Sequence, residues 1–284
     1  MNSADIASRY IEMRNDLLLV LDHCAAVSNA LASHDSTTDR EHNAKLIFTK
    51  LVGHGISLYR LSPTGKVPAK LGATEFWDVS SLFCICRALV EAFDALAYVS
   101  IEEISDEERA FRILLWRLHA EDRKLQALTL IRSGRPEVAS LAVEVKRLRE
   151  QLAASPFMPQ IDSSSRSELL GKKIQPFHIR PPERNRRNGV NHEYYMASYI
   201  LLSAHTHTYP MALQQLTEFQ AGDSESLRLI ALPTQYAIGF LSKAILGIKG
   251  IFHGLIPPAA PSAASAIEVW SAIVKNGISR SGTP

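Results

Sequence analysis

Residues 74–99 read TEFWDVSSLFCICRALVEAFDALAYV, and this stretch decides the fold. Apolar side chains cover most of its circumference at helical spacing, and a helix that is apolar nearly all round belongs in the middle of a bundle. One narrow polar line interrupts it: Arg87, Glu91, Asp94 and Tyr98, at steps of four, three and four, project from a single face. The line has two readings. It is either a solvated stripe with an intrahelical Arg–Glu pair, or, because the helix is central, a partly buried network or the wall of a cleft.

Outward from this helix the chain continues in helical pattern. Ile6, Tyr10, Met13, Leu17, Leu21, Cys24 and Leu31 give a first helix with one apolar stripe. Thr38-Asp39-Arg40-Glu41 has capping-box spacing and opens a second through Phe48, Leu51 and Leu58, followed by a proline-marked loop at 62–72. Ser105-Asp106-Glu107-Glu108 opens a fourth helix, with a core stripe of Phe111, Leu114, Leu118, Leu125, Leu128 and Ile131. Pro136 and Glu137 start a fifth, carrying Val138, Leu141, Val145, Leu148 and Leu152 at heptad-like spacing. No alternation is long enough to propose a sheet. The spacing therefore predicts an all-α, multi-helix bundle over residues 1–256, with a long basic loop at 155–191 inserted, and a hinge and C-terminal helical appendage at 257–284.

Composition agrees with a folded globular chain. Of 284 residues, 46% are apolar and 21% charged, far from the polar, highly charged range of disordered chains. A net charge of +2 points to no polyanion by itself. Cys24, Cys84 and Cys86 lack metal-type spacing and read as packing thiols, and MNSADIASRY has no basic-then-apolar leader, so a soluble, cytoplasmic protein is expected. Residues 229–256 are the one stretch to weigh as a membrane span. Pro233, Lys243, Lys249 and His253 interrupt it, and a charge at mid-span costs about 2.5 to 3.5 kcal/mol. A buried helix, with no stable membrane insertion, is the expectation.

The stretch 192–216, HEYYMASYILLSAHTHTYPMALQQL, repeats the device of the third helix. Tyr199, Ser203 and His207 lie four apart on one face with Tyr195 beside them, and Pro210 must kink or end the helix. These polar tips either satisfy one another or face Arg87 and Glu91 across a crevice as hydroxyl donors and a proton-transfer group. Arg87, Glu91, Tyr199, Ser203 and His207 together resemble a bacterial all-helical family catalogued only as a domain of unknown function. That likeness covers about the middle half of the chain and implies fold more than activity.

The fourth helix holds a second pattern. In RILLWRLHAEDR, Arg112 and His119 share a face seven residues apart. This resembles the arginine–histidine motif of the HEPN superfamily, many of whose members are metal-independent ribonucleases that act as dimers. The resemblance implies that Arg112 stabilises a phosphate and His119 moves the proton during attack by a ribose 2′-hydroxyl. Ile113 departs from the family, where a polar residue commonly follows the arginine. The basic loop adds Lys172, Lys173, Arg180, Arg184, Arg186 and Arg187, with Phe177 and His178 as stacking partners for bases, although a solvated loop would look the same.

Glu91, Asp94, His119, Glu121, His205 and His207 supply metal-ligand chemistries but not metal spacing, since His205 and His207 diverge by about 200° on a helix. There is no glycine-rich phosphate loop, no Gly-x-Ser-x-Gly and no zinc signature, so neither metal nor cofactor is expected. The leading expectation is a HEPN-like RNA nuclease or nucleotide-binding protein, set in bacterial defence or a toxin system, with RNA or nucleotide as ligand and a homodimer as assembly. A non-enzymatic interaction or scaffold module is the alternative, and a metal-dependent helical phosphohydrolase a further one.

Overall fold

The computed structural model describes residues 3–63, 69–71, 74–171 and 174–278. Along the chain, α1 spans Ser3–Ala32 and α2 Asp39–Leu61. The short strands β1 (Ala69–Leu71) and β2 (Thr74–Phe76) pair antiparallel with Leu71 opposite Thr74. Then come α3 (Val79–Leu96), a π-helical turn Ala97–Ile101, α4 (Asp106–Leu130) and α5 (Glu137–Ala153). A 3-10 turn Met158–Gln160 precedes α6 (Ser163–Leu169), α7 (Pro181–Arg187), α8 (His192–Thr206), α9 (Pro210–Glu218), α10 (Ser224–Ile251) and α11 (Pro261–Asn276). The all-α multi-helix bundle read from the sequence is the observed architecture.

Caps fix most of the boundaries. Thr38 accepts from the Glu41 amide at 3.2 Å and Ser105 from the Glu108 amide at 3.2 Å, as the capping boxes require. Gly277, at φ 75°, ends α11. The start of α3 differs from its expected position at 74, because Asp78 caps the Ser81 amide at 3.0 Å and the residues before it are committed to the hairpin. The stretch 155–191, expected as a loop, holds α6 and α7; Asp162 caps the first of them.

The chain divides into two units: residues 1–101 with 185–284, and residues 102–184. This division differs from the expected one, which kept 1–256 together and set 257–284 apart. In the first unit α10 packs on α1, α2, α3 and α11, and α11 also meets α1. Ala266, Ile267 and Val274 of α11 are buried in the same core as Leu17, Phe48, Leu89 and Phe240, so the terminal helix is a core element here. Residues 226–251 of α10 are long and apolar enough to cross a membrane by length and composition, and two-thirds of that window is buried inside the protein. Pro233 sits within the helix without ending it; its carbonyl accepts from Cys86 Sγ at 3.2 Å.

The second unit is a hairpin of α4 and α5 closed by the segment after it. Phe111, Leu115 and Leu118 of α4 meet Leu141, Val145, Leu148 and Leu152 of α5, with Phe157, Ile161, Leu169 and Ile174 completing the core. Ile131, expected in the core stripe, is 73% exposed, because α4 ends at Leu130 and Arg132 turns the chain with φ 51°.

Candidate functional site

The two polar lines read from the sequence meet. Helices α3 and α8 pack side by side within the first unit, and the lines lie along their shared seam. At the inner end Tyr195 donates its hydroxyl proton to Asp94 Oδ2 at 2.7 Å, with both residues buried. At the outer end Arg87 donates through Nε and Nη2 to Glu91 Oε1, at 2.9 and 2.7 Å, and through Nη1 to the Ser203 hydroxyl. Its guanidinium carbon stands 3.8 Å above the centre of the Tyr199 ring, a cation–π geometry. Ser203 in turn donates to the Tyr199 carbonyl, one turn back in α8.

The seam grades from dry to wet. Asp94 is 3% exposed, the Arg87 side chain 13% and the Glu91 side chain 58%. Burial works against the charge on Arg87, but the contacts with Tyr199 and Glu91 outweigh it and hold the guanidinium above its ordinary pKa. Arginine carries five N–H donors. The contacts with Glu91 and Ser203 use three, and the Tyr199 side chain engages the same guanidinium. The site is therefore an oriented arginine fork with an aromatic face beneath it, a carboxylate beside it and a hydroxyl behind it.

His207, the fourth residue expected here, does not join. It lies just past the end of α8, exposed, with its ring beside Tyr209 at 5.3 Å. His205 is the buried histidine instead. Its ring lies 4.1 Å from that of Phe83 on α3, its Nδ1 is 3.4 Å from Ser80 Oγ, and its Nε2 is 3.1 Å from Gln215 Oε1 on α9. Burial lowers its pKa and the Gln215 contact only partly offsets this, so it is neutral at pH 7. Thr208, with φ 56°, and Pro210 at the first position of α9 make the turn that brings Gln215 back over α8. Nothing in the local sequence marks His205 over His207; the choice is made by the turn.

Arg112 does not present itself to a phosphate. It is fully buried and donates to Glu108 Oε1 at 3.0 and 2.6 Å and to Glu102 Oε2 at 2.8 Å, while His178 Nε2 lies 3.6 Å from the same Glu108 oxygen. His119 is only partly buried, 3.5 Å from Arg123 Nε, and its pKa is lowered by burial and then by Arg123. The pair expected to act together is thus divided between a closed ion network and a surface position.

The basic segment is likewise divided. Lys172 and Lys173 lie outside the described residues. Arg184 is buried with its guanidinium 4.3 Å over the Phe177 ring, and both line a cavity of about 220 Å³ in the second unit with His178, Ser165 and the exposed Arg180. Arg186 and Arg187 are exposed and belong to the first unit. Among the described residues no three His, Cys, Asp or Glu side chains gather as metal ligands.

Comparison with protein families, with curated proteins and with solved structures finds no significant match for this chain.

Proposed function

We propose that this is an RNA- or nucleotide-binding protein that works through Arg87; its likeness to HEPN proteins is carried by Arg112 and His119, which are not gathered into one site. The observation that carries the reading is the fork: a guanidinium fixed by Glu91, Ser203 and Tyr199 at the partly exposed outer end of the seam. An oriented arginine fork matches two oxygens of a phosphate group, and it loses little entropy on binding. Tyr199, 40% exposed, has one ring face covered by Arg87 and presents its remaining surface to a base. Glu91, mostly exposed, is placed to accept a proton beside a bound ribose, which would extend binding to cleavage. Arg180, exposed beside the Arg184–Phe177 stack, is the further phosphate contact the reading assigns to the basic segment. A bacterial defence or toxin setting rests on the resemblance alone.

The test is fluorescence-anisotropy titration of the full chain with a short single-stranded RNA, at several salt concentrations, together with a cleavage assay on the same RNA. Arg87→Ala is expected to weaken binding at least tenfold and to flatten the salt dependence by about 0.7 in the log–log slope, one phosphate's worth. Equal binding by the folded Arg87→Ala protein would overturn the reading. Cleavage that survives Arg87→Ala but is lost with Arg112→Lys and His119→Ala would return the assignment to the α4 pair.

One observation favours a second reading, assembly. Tyr199 and Ile200 on α8, Tyr209 just before α9 and Leu213 on α9 are each at least 40% exposed, apolar surface of the kind that interfaces cover. Light scattering of the full chain decides it: a concentration-dependent dimer lost in Ile200→Glu supports an interaction module, whereas a monomer at all concentrations removes that support.

A further inference from the structure

A cavity of about 380 Å³ opens in the first unit, away from the α3–α8 seam, between α1, α10, α11 and the turn that joins the last two. Its size lies in the range of small-molecule pockets. Most of the wall is apolar: Ile245, Ile256 and Ile267, with Pro257 and Pro258 forming the turn side. Prolines present no backbone donor, so this side has no amide hydrogen to satisfy.

The polar lining is sparse. Lys249 of α10 is exposed and His23 of α1 is 9% exposed; among the described residues Lys249 forms no ion pair and His23 no hydrogen bond, and the His23 ring nitrogens keep access to solvent through the cavity. Glu268 and Ser271 line the α11 side; Ser271 is turned to the Glu268 carbonyl at 3.0 Å, and Glu268 makes no ion pair with Lys249. Burial, then the nearby Lys249, lowers the pKa of His23, which leaves the ring neutral with both a donor and an acceptor. The ring nitrogens therefore open into the cavity beside the Lys249 ammonium, where a ligand head group can replace water on both.

We propose that this cavity binds a small monocarboxylate with an apolar body, its head group held by Lys249 and His23 and its chain lying along Ile245, Ile267 and the two prolines. Lys249 supplies the charge and His23 the directed hydrogen bond. Glu268, across the opening, disfavours a second negative charge, so the site selects monoanions over dianions of the same length. The apolar length that suits the cavity is about eight to twelve carbons.

The experiment is calorimetric titration of the full chain with decanoate, 1-decanol, decanedioate and decylamine. One decanoate is expected to bind per chain, at least tenfold more tightly than any of the other three. Lys249→Met, which keeps the apolar stem, is expected to abolish that preference over decanol. Ala264→Phe, an exposed lining position on α11, is expected to block decanoate while circular dichroism shows an unchanged fold. Equal affinity for decanoate and decanol, tighter binding of decylamine, or full decanoate binding by Ala264→Phe would each overturn the proposal.

Discussion

Arg87 and Arg112 are built alike and end in opposite states. Each sits on an amphipathic helix with a glutamate four residues away, Glu91 after the first and Glu108 before the second. Arg112 falls on the core side of α4 and is fully buried, and a second carboxylate, Glu102, folds in from before the helix to complete its neutralisation. Arg87 falls on the seam between α3 and α8, where its partners are a hydroxyl and an aromatic face and its one carboxylate stays in water. A buried arginine without full compensation is too costly to keep, so depth converts one motif into a closed structural tie and leaves the other partly open to solvent.

The comparison breaks most sharply at Arg112. Arg112→Ala would leave Glu102 and Glu108 buried without their cation and is expected to destabilise the protein by about 3–5 kcal/mol in urea unfolding. A loss below about 1 kcal/mol would mean the network is not a tie. The inner end of the α3–α8 seam should behave the same way on a smaller scale. Tyr195→Phe removes the proton donated to buried Asp94, and a cost of about 1.5–3 kcal/mol is expected, with Asp94→Asn partly restoring stability in the double variant.

Protonation sharpens the picture next. The pKa values of His205 in the first unit and His119 in the second are both lowered, by burial first, so the unfolded chain takes up their protons more readily. Their contribution is present above the ordinary histidine value of about 6.5 and is lost as the pH falls below it toward the folded values. Thermal unfolding between pH 7.5 and 5 is expected to show falling stability, with a shallower slope in His205→Gln. An unchanged slope in that variant would place the loss elsewhere. The smallest effect is expected at Glu91→Gln, which neutralises the exposed carboxylate of a half-buried pair and should change stability by about 0.2–1 kcal/mol while raising RNA affinity, because a negative charge beside the fork is gone.

Local chemistry was legible where it closes within a few residues. The caps at Thr38 and Ser105 involve neighbours in sequence, and each is observed. The two polar lines were legible as lines because helical spacing alone puts Arg87 and Glu91, or Tyr199 and Ser203, on one face. Their meeting was not, since it depends on how α8 is rotated against α3. His205 in place of His207 shows the same limit, as the two differ only in which side of α8 the return of α9 covers. The burial of Arg112 was not legible because its second partner, Glu102, lies outside the helix that carries it.

By itself, then, the sequence determined an all-α bundle, its central apolar helices and the residues lining each polar stripe, because periodicity and capping are short-range and set by backbone geometry. Tertiary structure alone decided the division into two units, the burial of α11 and which arginine stayed accessible. Those outcomes depend on contacts between residues distant in the chain, where burial sets whether a charge is tied down or left to bind.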